Sequence, residues 1–125
     1  MHSNFKILIV EDNLMNQKLV GYMLSDWGYE FEACNNGKQA IEKIQQTAYQ
    51  LILMDIQMPE MDGYETTVYL REKLLLNITI IAMTAQTSND EKNKCLSLGM
   101  TDYISKPIQE AELESLIAKY NLPVA

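Results

Sequence analysis

Leu51-Ile52-Leu53-Met54-Asp55-Ile56-Gln57-Met58-Pro59-Glu60-Met61-Asp62-Gly63 is the stretch on which the fold turns. Its opening run, Leu51 to Met54, is the most apolar segment of the chain and carries no polar residue. A short apolar run bounded by turn residues fits a strand buried on both faces, as in a parallel sheet. The run stops on an aspartate, and a loop from Asp55 to Asp62 follows. Gly63 to Leu75 then reads as a helix with a poor apolar stripe, its clearest members Tyr64, Val68 and Leu74.

Working toward the N-terminus, Ala40, Ile41, Ile44 and Ala48 form a helical stripe after the turn Asn35-Asn36-Gly37. Tyr29 to Cys34 alternates, with Glu30 and Glu32 on one side, and is expected to be an edge strand with a charged outer face. Leu14 to Trp27 places Met15, Leu19 and Met23 on one helical face beside Tyr22, and Gly28 ends it. Phe5 to Val10 is a further apolar, β-branched strand.

Toward the C-terminus, Ile78 to Met83 is another buried strand. Ser88 with Glu91 has capping-box spacing and starts a helix that Gly99 ends. Asp102-Tyr103-Ile104 is a short strand closed by Pro107. Leu113, Leu116, Ile117 and Tyr120 make the last helical face. The order is strand then helix, five times over. Such alternation argues for an α/β, doubly wound parallel sheet with helices on both faces, in one domain over residues 1–125 with its core at about 5–120.

Composition narrows the function. The chain has 125 residues, of which 47% are hydrophobic and 22% charged, ordinary values for a globular protein. A formal net charge of −7 argues against nucleic acid or an anionic membrane as partner. No apolar run approaches the roughly 18 residues of a membrane span. Cys34 and Cys95 lie in no metal-type cluster, and the N-terminus lacks the features of a signal peptide, so a reducing, cytoplasmic location is expected. His2 is the sole histidine. A Ser-His-Asp triad, a Cys-His pair and a His-rich zinc site each lack their central member.

In a doubly wound sheet, ligands bind beyond the carboxyl ends of the strands. Glu11-Asp12, Asp55, Thr84 and Lys106 all fall there. Carboxylates suit a hard cation such as Mg²⁺ or Mn²⁺, while an amine and a hydroxyl suit an anion built on Asp55. Each residue also has a plain structural role: Glu11-Asp12 as helix-capping acids, Asp55 as a turn residue, Thr84 as a strand threonine, Lys106 as a surface lysine. Their coincidence at one end of the sheet favours the site.

The segments Ile7 to Asn13, Met54 to Gly63, Met83-Thr84-Ala85 and Tyr103-Ile104-Ser105-Lys106-Pro107 together resemble the motifs of response-regulator receiver domains of two-component signalling. That resemblance, from roughly Phe5 to Tyr120, implies a flavodoxin-like sheet of order 2-1-3-4-5. It implies that Asp55 accepts a phosphoryl group from a phosphohistidine. Asp12, Asp55, the Gln57 carbonyl and, through water, Glu11 would hold Mg²⁺. Lys106, ahead of a cis Pro107, and Thr84 would contact the phosphoryl group. Thr84 and Tyr103 would form the switch that alters the surface of the fourth helix, fifth strand and fifth helix. Gln57 and Gln86 would flank the phosphoryl group.

Glu11-Asp12-Asn13 followed by Asn16-Gln17 is similar to receivers of hybrid histidine kinases and phosphorelays. The implied partners are a histidine kinase, a histidine phosphotransfer domain, or both, with the output carried outside this chain. The domain would catalyse only its own phosphorylation and dephosphorylation. Three alternatives stand beside this reading. A haloacid-dehalogenase-like phosphatase would need a second acid where Gln57 stands. A flavodoxin-like cofactor module would need a phosphate loop in place of Glu11 to Leu14. A degenerate receiver would serve only as an interaction surface.

Overall fold

The computed structural model describes residues 5–85 and 88–121; His2, Gln86 and the last residues of the expected C-terminal tail lie outside them. The chain alternates β1 (Lys6–Val10), α1 (Leu14–Asp26), β2 (Glu30–Cys34), α2 (Gly37–Gln46), β3 (Leu51–Asp55), α3 (Gly63–Val68), β4 (Thr79–Thr84), α4 (Asn89–Ser97), β5 (Asp102–Ser105) and α5 (Glu110–Tyr120). All strand pairs are parallel and the sheet order is β2-β1-β3-β4-β5. From β1 the chain passes to β2 on one side and later to β3 on the other, so the order reverses between β1 and β3.

Alternate strand residues feed opposite cores. Ile7, Ile9, Leu51, Leu53, Ile81 and Met83 pack against Val20 and Leu24 of α1 and Leu113 and Ile117 of α5. Leu8, Val10, Ile52, Met54, Ile80 and Ala82 face Ala40 and Ile44 of α2, Leu70 beyond α3 and Cys95 of α4. All five residues of β3 are buried, as its unbroken apolar run predicts.

Several local readings change. The expected core face of α1 is not the one used. Met15, Leu19 and Tyr22 are 77%, 49% and 68% exposed, and of that stripe only Met23 is buried. Val20, Gly21 and Leu24 face the sheet instead, where Gly21 lets the Phe31 ring approach to 3.0 Å of where a Cβ would stand. β2 is an edge strand, yet Glu32 is bound by Lys6 at 3.1 Å and Lys43 at 3.7 Å and accepts from the Tyr49 hydroxyl. α2 ends at Gln46, so Ala48 lies beyond it and is exposed.

α3 has a poor stripe because its core residues are threonines. Thr66 and Thr67 are fully buried, and their hydroxyls donate back to the carbonyls of Asp62 and Gly63 at 2.8 Å each. The helix then widens into a π-helical segment, Tyr69–Lys73, with Leu74 N donating to Tyr69 O. The reciprocal capping box belongs to Asp62 and Glu65 rather than to Ser88 and Glu91. At α4, Ser88 Oγ accepts from Glu91 N at 3.2 Å, but the Glu91 carboxylate accepts from the Tyr64 hydroxyl.

Candidate functional site

Parallel strands bring their C-terminal ends to one rim, and register decides who meets whom there. Val10 is level with Met54, Asp55 with Met83, and Thr84 with Ser105. Glu11 and Lys106, the first residues past β1 and β5, therefore enter the same space as Asp55 and Thr84, the last residues of β3 and β4. The backbone reinforces this: Lys106 N donates to Thr84 O at 2.8 Å, and Ile56 N to Met83 O at 3.2 Å. Gly63 lets α3 start hard against the aspartate. A Cβ there would stand 2.4 Å from Asp55 O, and Gly63 N donates to Ile56 O at 2.9 Å.

Glu11 and Asp55 are almost wholly buried, at 1% and 4% exposure. Lys106 Nζ bridges them, 2.9 Å from Glu11 Oε1 and 3.1 Å from Asp55 Oδ1. Asn13 N donates to Glu11 Oε2 at 3.2 Å, and Gln57 N to Asp55 Oδ1 at 3.3 Å. Asp12 is exposed, yet one oxygen from each of Glu11, Asp12 and Asp55 lies within 4.8 Å of the others. These residues open into a cleft of about 170 Å³ that Asn16 and Thr84 also line. A larger cleft of about 490 Å³ adjoins it, between Gln57-Met58 and Tyr64, Glu91 and Lys94.

The electrostatics follow from burial. Burial, then the hydrogen bond and charge of Glu11, push the Asp55 carboxyl up to about 7 against the pull of Lys106. Burial also works against the Glu11 carboxylate, but its bonds to Lys106, Asp55 and Asn13 outweigh it and hold Glu11 below the ordinary range. Lys106 is raised because two carboxylates outweigh its own burial. With all three acids ionised and one ammonium, the cluster has a net charge of −2. A small divalent cation with oxygen preference fits that charge and donor set.

Glu11, Asp12, Asp55, Thr84 and Lys106 thus converge as the sequence suggests, and the Lys106-Pro107 peptide is cis. Gln57 is exposed at the mouth. Tyr103 stands apart, half-buried on β5, with Lys92 Nζ 5.0 Å from its ring centroid. Sequence reasoning missed the adjoining cleft around Tyr64, Glu91 and Lys94, since nothing in their spacing marks α3 and α4 as neighbours. It also read Gln17 only as part of a motif, whereas its Nε2 donates to the Glu11 carbonyl at 2.6 Å.

The model for the response regulator receiver domain matches residues 7–118. Hybrid signal transduction histidine kinase B of Dictyostelium discoideum is 42% identical over 129 residues, covering 94% of this chain and 7% of that protein. The chain spans between 7% and 16% of the length of such curated relatives. Among solved structures, the receiver domain of sensor histidine kinase PA1611 of Pseudomonas aeruginosa has a magnesium ion coordinated in its active-site cleft. It superposes with a TM-score of 0.84 at 36% identity, over 95% of this chain and 98% of that one. The receiver domain of Ssk1 from Saccharomyces cerevisiae, solved with the histidine phosphotransfer protein Ypd1, gives 0.90 at 29% identity, over 97% and 91%.

Proposed function

Because the chain belongs to the response regulator receiver family, we propose that it is a phosphorelay receiver whose Asp55 takes a phosphoryl group from a partner's phosphohistidine. The observation that carries this is a buried aspartate at the end of β3, ion-paired to Lys106 and clustered with Glu11 and Asp12 at an open cleft. An Asp55 carboxylate oxygen attacks phosphorus. The phosphorus–nitrogen bond breaks, and the imidazole leaves with its electron pair, giving an acyl phosphate. Asp12, Asp55 and the Gln57 carbonyl would hold Mg²⁺, with Glu11 acting through water; when bound, the ion supplies charge neutralisation at the phosphoryl oxygens.

Lys106 pairs with a phosphoryl oxygen, and the Thr84 hydroxyl donates to another. The phosphoryl oxygens, carrying nearly −2 where the carboxylate carried −1, draw both inward. Tyr103 follows into the space that Thr84 vacates, and the surface of α4, β5 and α5 changes population. The domain catalyses only its own phosphorylation and dephosphorylation. The output lies with a partner or with further domains.

The donor must bring a histidine ring to the cleft mouth. Beside it, Leu14, Met15, Leu19 and Tyr22 expose an apolar face of α1. We assign that face to a histidine kinase or histidine phosphotransfer domain, as a docking surface continuous with the site. Among the described residues no helix is long and apolar enough to cross a membrane. A cytoplasmic location belongs to this same proposal.

The test is incubation with Mg²⁺ and acetyl phosphate, followed by intact mass. Trp27 closes α1 at the end of the sheet away from Asp55, so its emission is a poor reporter. A hydroxylamine-labile adduct that Asp55→Asn abolishes is expected. Rapid multiple turnover of phosphorylated metabolites would favour a phosphatase, and no adduct at all a degenerate receiver.

A further inference from the structure

We propose that Gln17 is a positioning residue of the cation site, its side-chain amide fixing the peptide from which Asp12 projects. The inference rests on the reading of Glu11, Asp12 and Asp55 as that site. β1 ends at Val10, and Glu11 is the last residue tied to the sheet, its N–H donating to Cys34 O at 3.1 Å. Gln17, in the first turn of α1, donates from Nε2 to the Glu11 carbonyl at 2.6 Å. The same nitrogen reaches Cys34 O at 3.0 Å and Asn35 Oδ1 at 2.7 Å.

Three acceptors from two strand ends thus gather on one amide nitrogen, whose two protons are shared among them. The Glu11 carbonyl and the Asp12 N–H belong to one planar peptide unit. Holding that carbonyl therefore sets the direction in which Asp12 leaves the sheet. Asp12 needs such help because it is exposed, whereas Glu11 and Asp55 are held by burial and by Lys106. The loop is also braced from within, since Asn13 donates to the Glu11 carboxylate and caps α1 by accepting from Asn16 N at 3.0 Å. Gln17 adds a side-chain tie from α1 to the end of β2, beside the backbone bond of Glu11 to Cys34.

The experiment titrates Mg²⁺ by calorimetry into wild type, Gln17→Met and Asn35→Ala, and follows amide exchange by NMR without metal. Gln17→Met keeps length and loses the donor, and should weaken Mg²⁺ about fivefold, whereas Asn35→Ala should stay within about twofold. Exchange at Glu11 and Asn13 should speed up in Gln17→Met while the β3 amides keep their protection. Unchanged Mg²⁺ affinity in Gln17→Met, or faster exchange spread evenly over β3, overturns the proposal and leaves the receiver reading intact. A wild type that takes up no Mg²⁺ overturns both. If Gln17→Met does not fold, Gln17→Asn, one methylene too short to reach the Glu11 carbonyl, has the same expected outcome.

Discussion

Replacing Asp55 by asparagine should stabilise the metal-free protein at neutral pH. Asp55 is 4% exposed and faces Glu11, and among the described residues its one counter-charge is Lys106, which Glu11 shares. Its carboxyl is pushed from the ordinary 3.8 to about 7, so the folded state binds a proton more tightly than the unfolded chain. Stability from this group is therefore fully present below about pH 4 and is lost as pH rises through about 7. At about 1.4 kcal/mol per factor of ten, the gap amounts to an upper bound of about 4 kcal/mol by pH 8.

Two opposing effects reduce the gain. Glu11, held below its ordinary range, contributes stability above the unfolded carboxylate range and loses it only at lower pH. Asparagine also gives up the ion pair with Lys106. A net gain of about 2 kcal/mol at pH 8 remains, a rise in Tm of about 8 °C for a domain of this size, shrinking toward zero at pH 4. Urea unfolding of both proteins in EDTA between pH 4 and 8 measures it. An Asp55→Asn protein no more stable than wild type at pH 8, or one whose advantage does not shrink with acidification, would refute the reasoning.

Three further outcomes follow from the same structure. Mg²⁺ should stabilise the wild type by about 1.4 kcal/mol at ten times its Kd at pH 8, and by less at pH 5, where Asp55 keeps its proton; thermal unfolding at both pH values checks this. Met15→Glu with Leu19→Glu should slow phosphotransfer from a histidine phosphotransfer protein about tenfold, the equivalent of about 1.4 kcal/mol, and leave acetyl phosphate labelling unchanged. Equal slowing of both donors would disprove α1 as the docking face. Arg71 donates to Gly99 O at 2.9 Å and Leu76 O at 2.8 Å, and Gly99 has φ +107 under its side chain. Arg71→Ala should cost about 2 kcal/mol in urea unfolding without altering Mg²⁺ affinity.

Much of this was legible in the amino-acid order because parallel topology is so restrictive. Five apolar strands alternating with helices leave few sheets to build, and each strand's last residue must arrive at the same rim. Glu11, Asp12, Asp55, Thr84 and Lys106 could therefore be named before any geometry was known. Helix faces were less legible. α1 has two apolar stripes, and periodicity does not say which meets the sheet. In the structure Val20, Met23 and Leu24 turn inward, and Gly21 beside them leaves room for the Phe31 ring. α3 hid its core face behind threonines that satisfy their hydroxyls on its own backbone.

What the sequence determined by itself was the order of elements and the chemistry at the strand ends, since both depend on local pattern and on a rule of connection. What only the tertiary structure decided was distance: Lys106 lying between Glu11 and Asp55, Gln17 reaching β2, Tyr64 meeting Glu91. Those contacts join residues far apart along the chain. Charge and burial at such a meeting are properties of the packed whole, and no local window of sequence contains them.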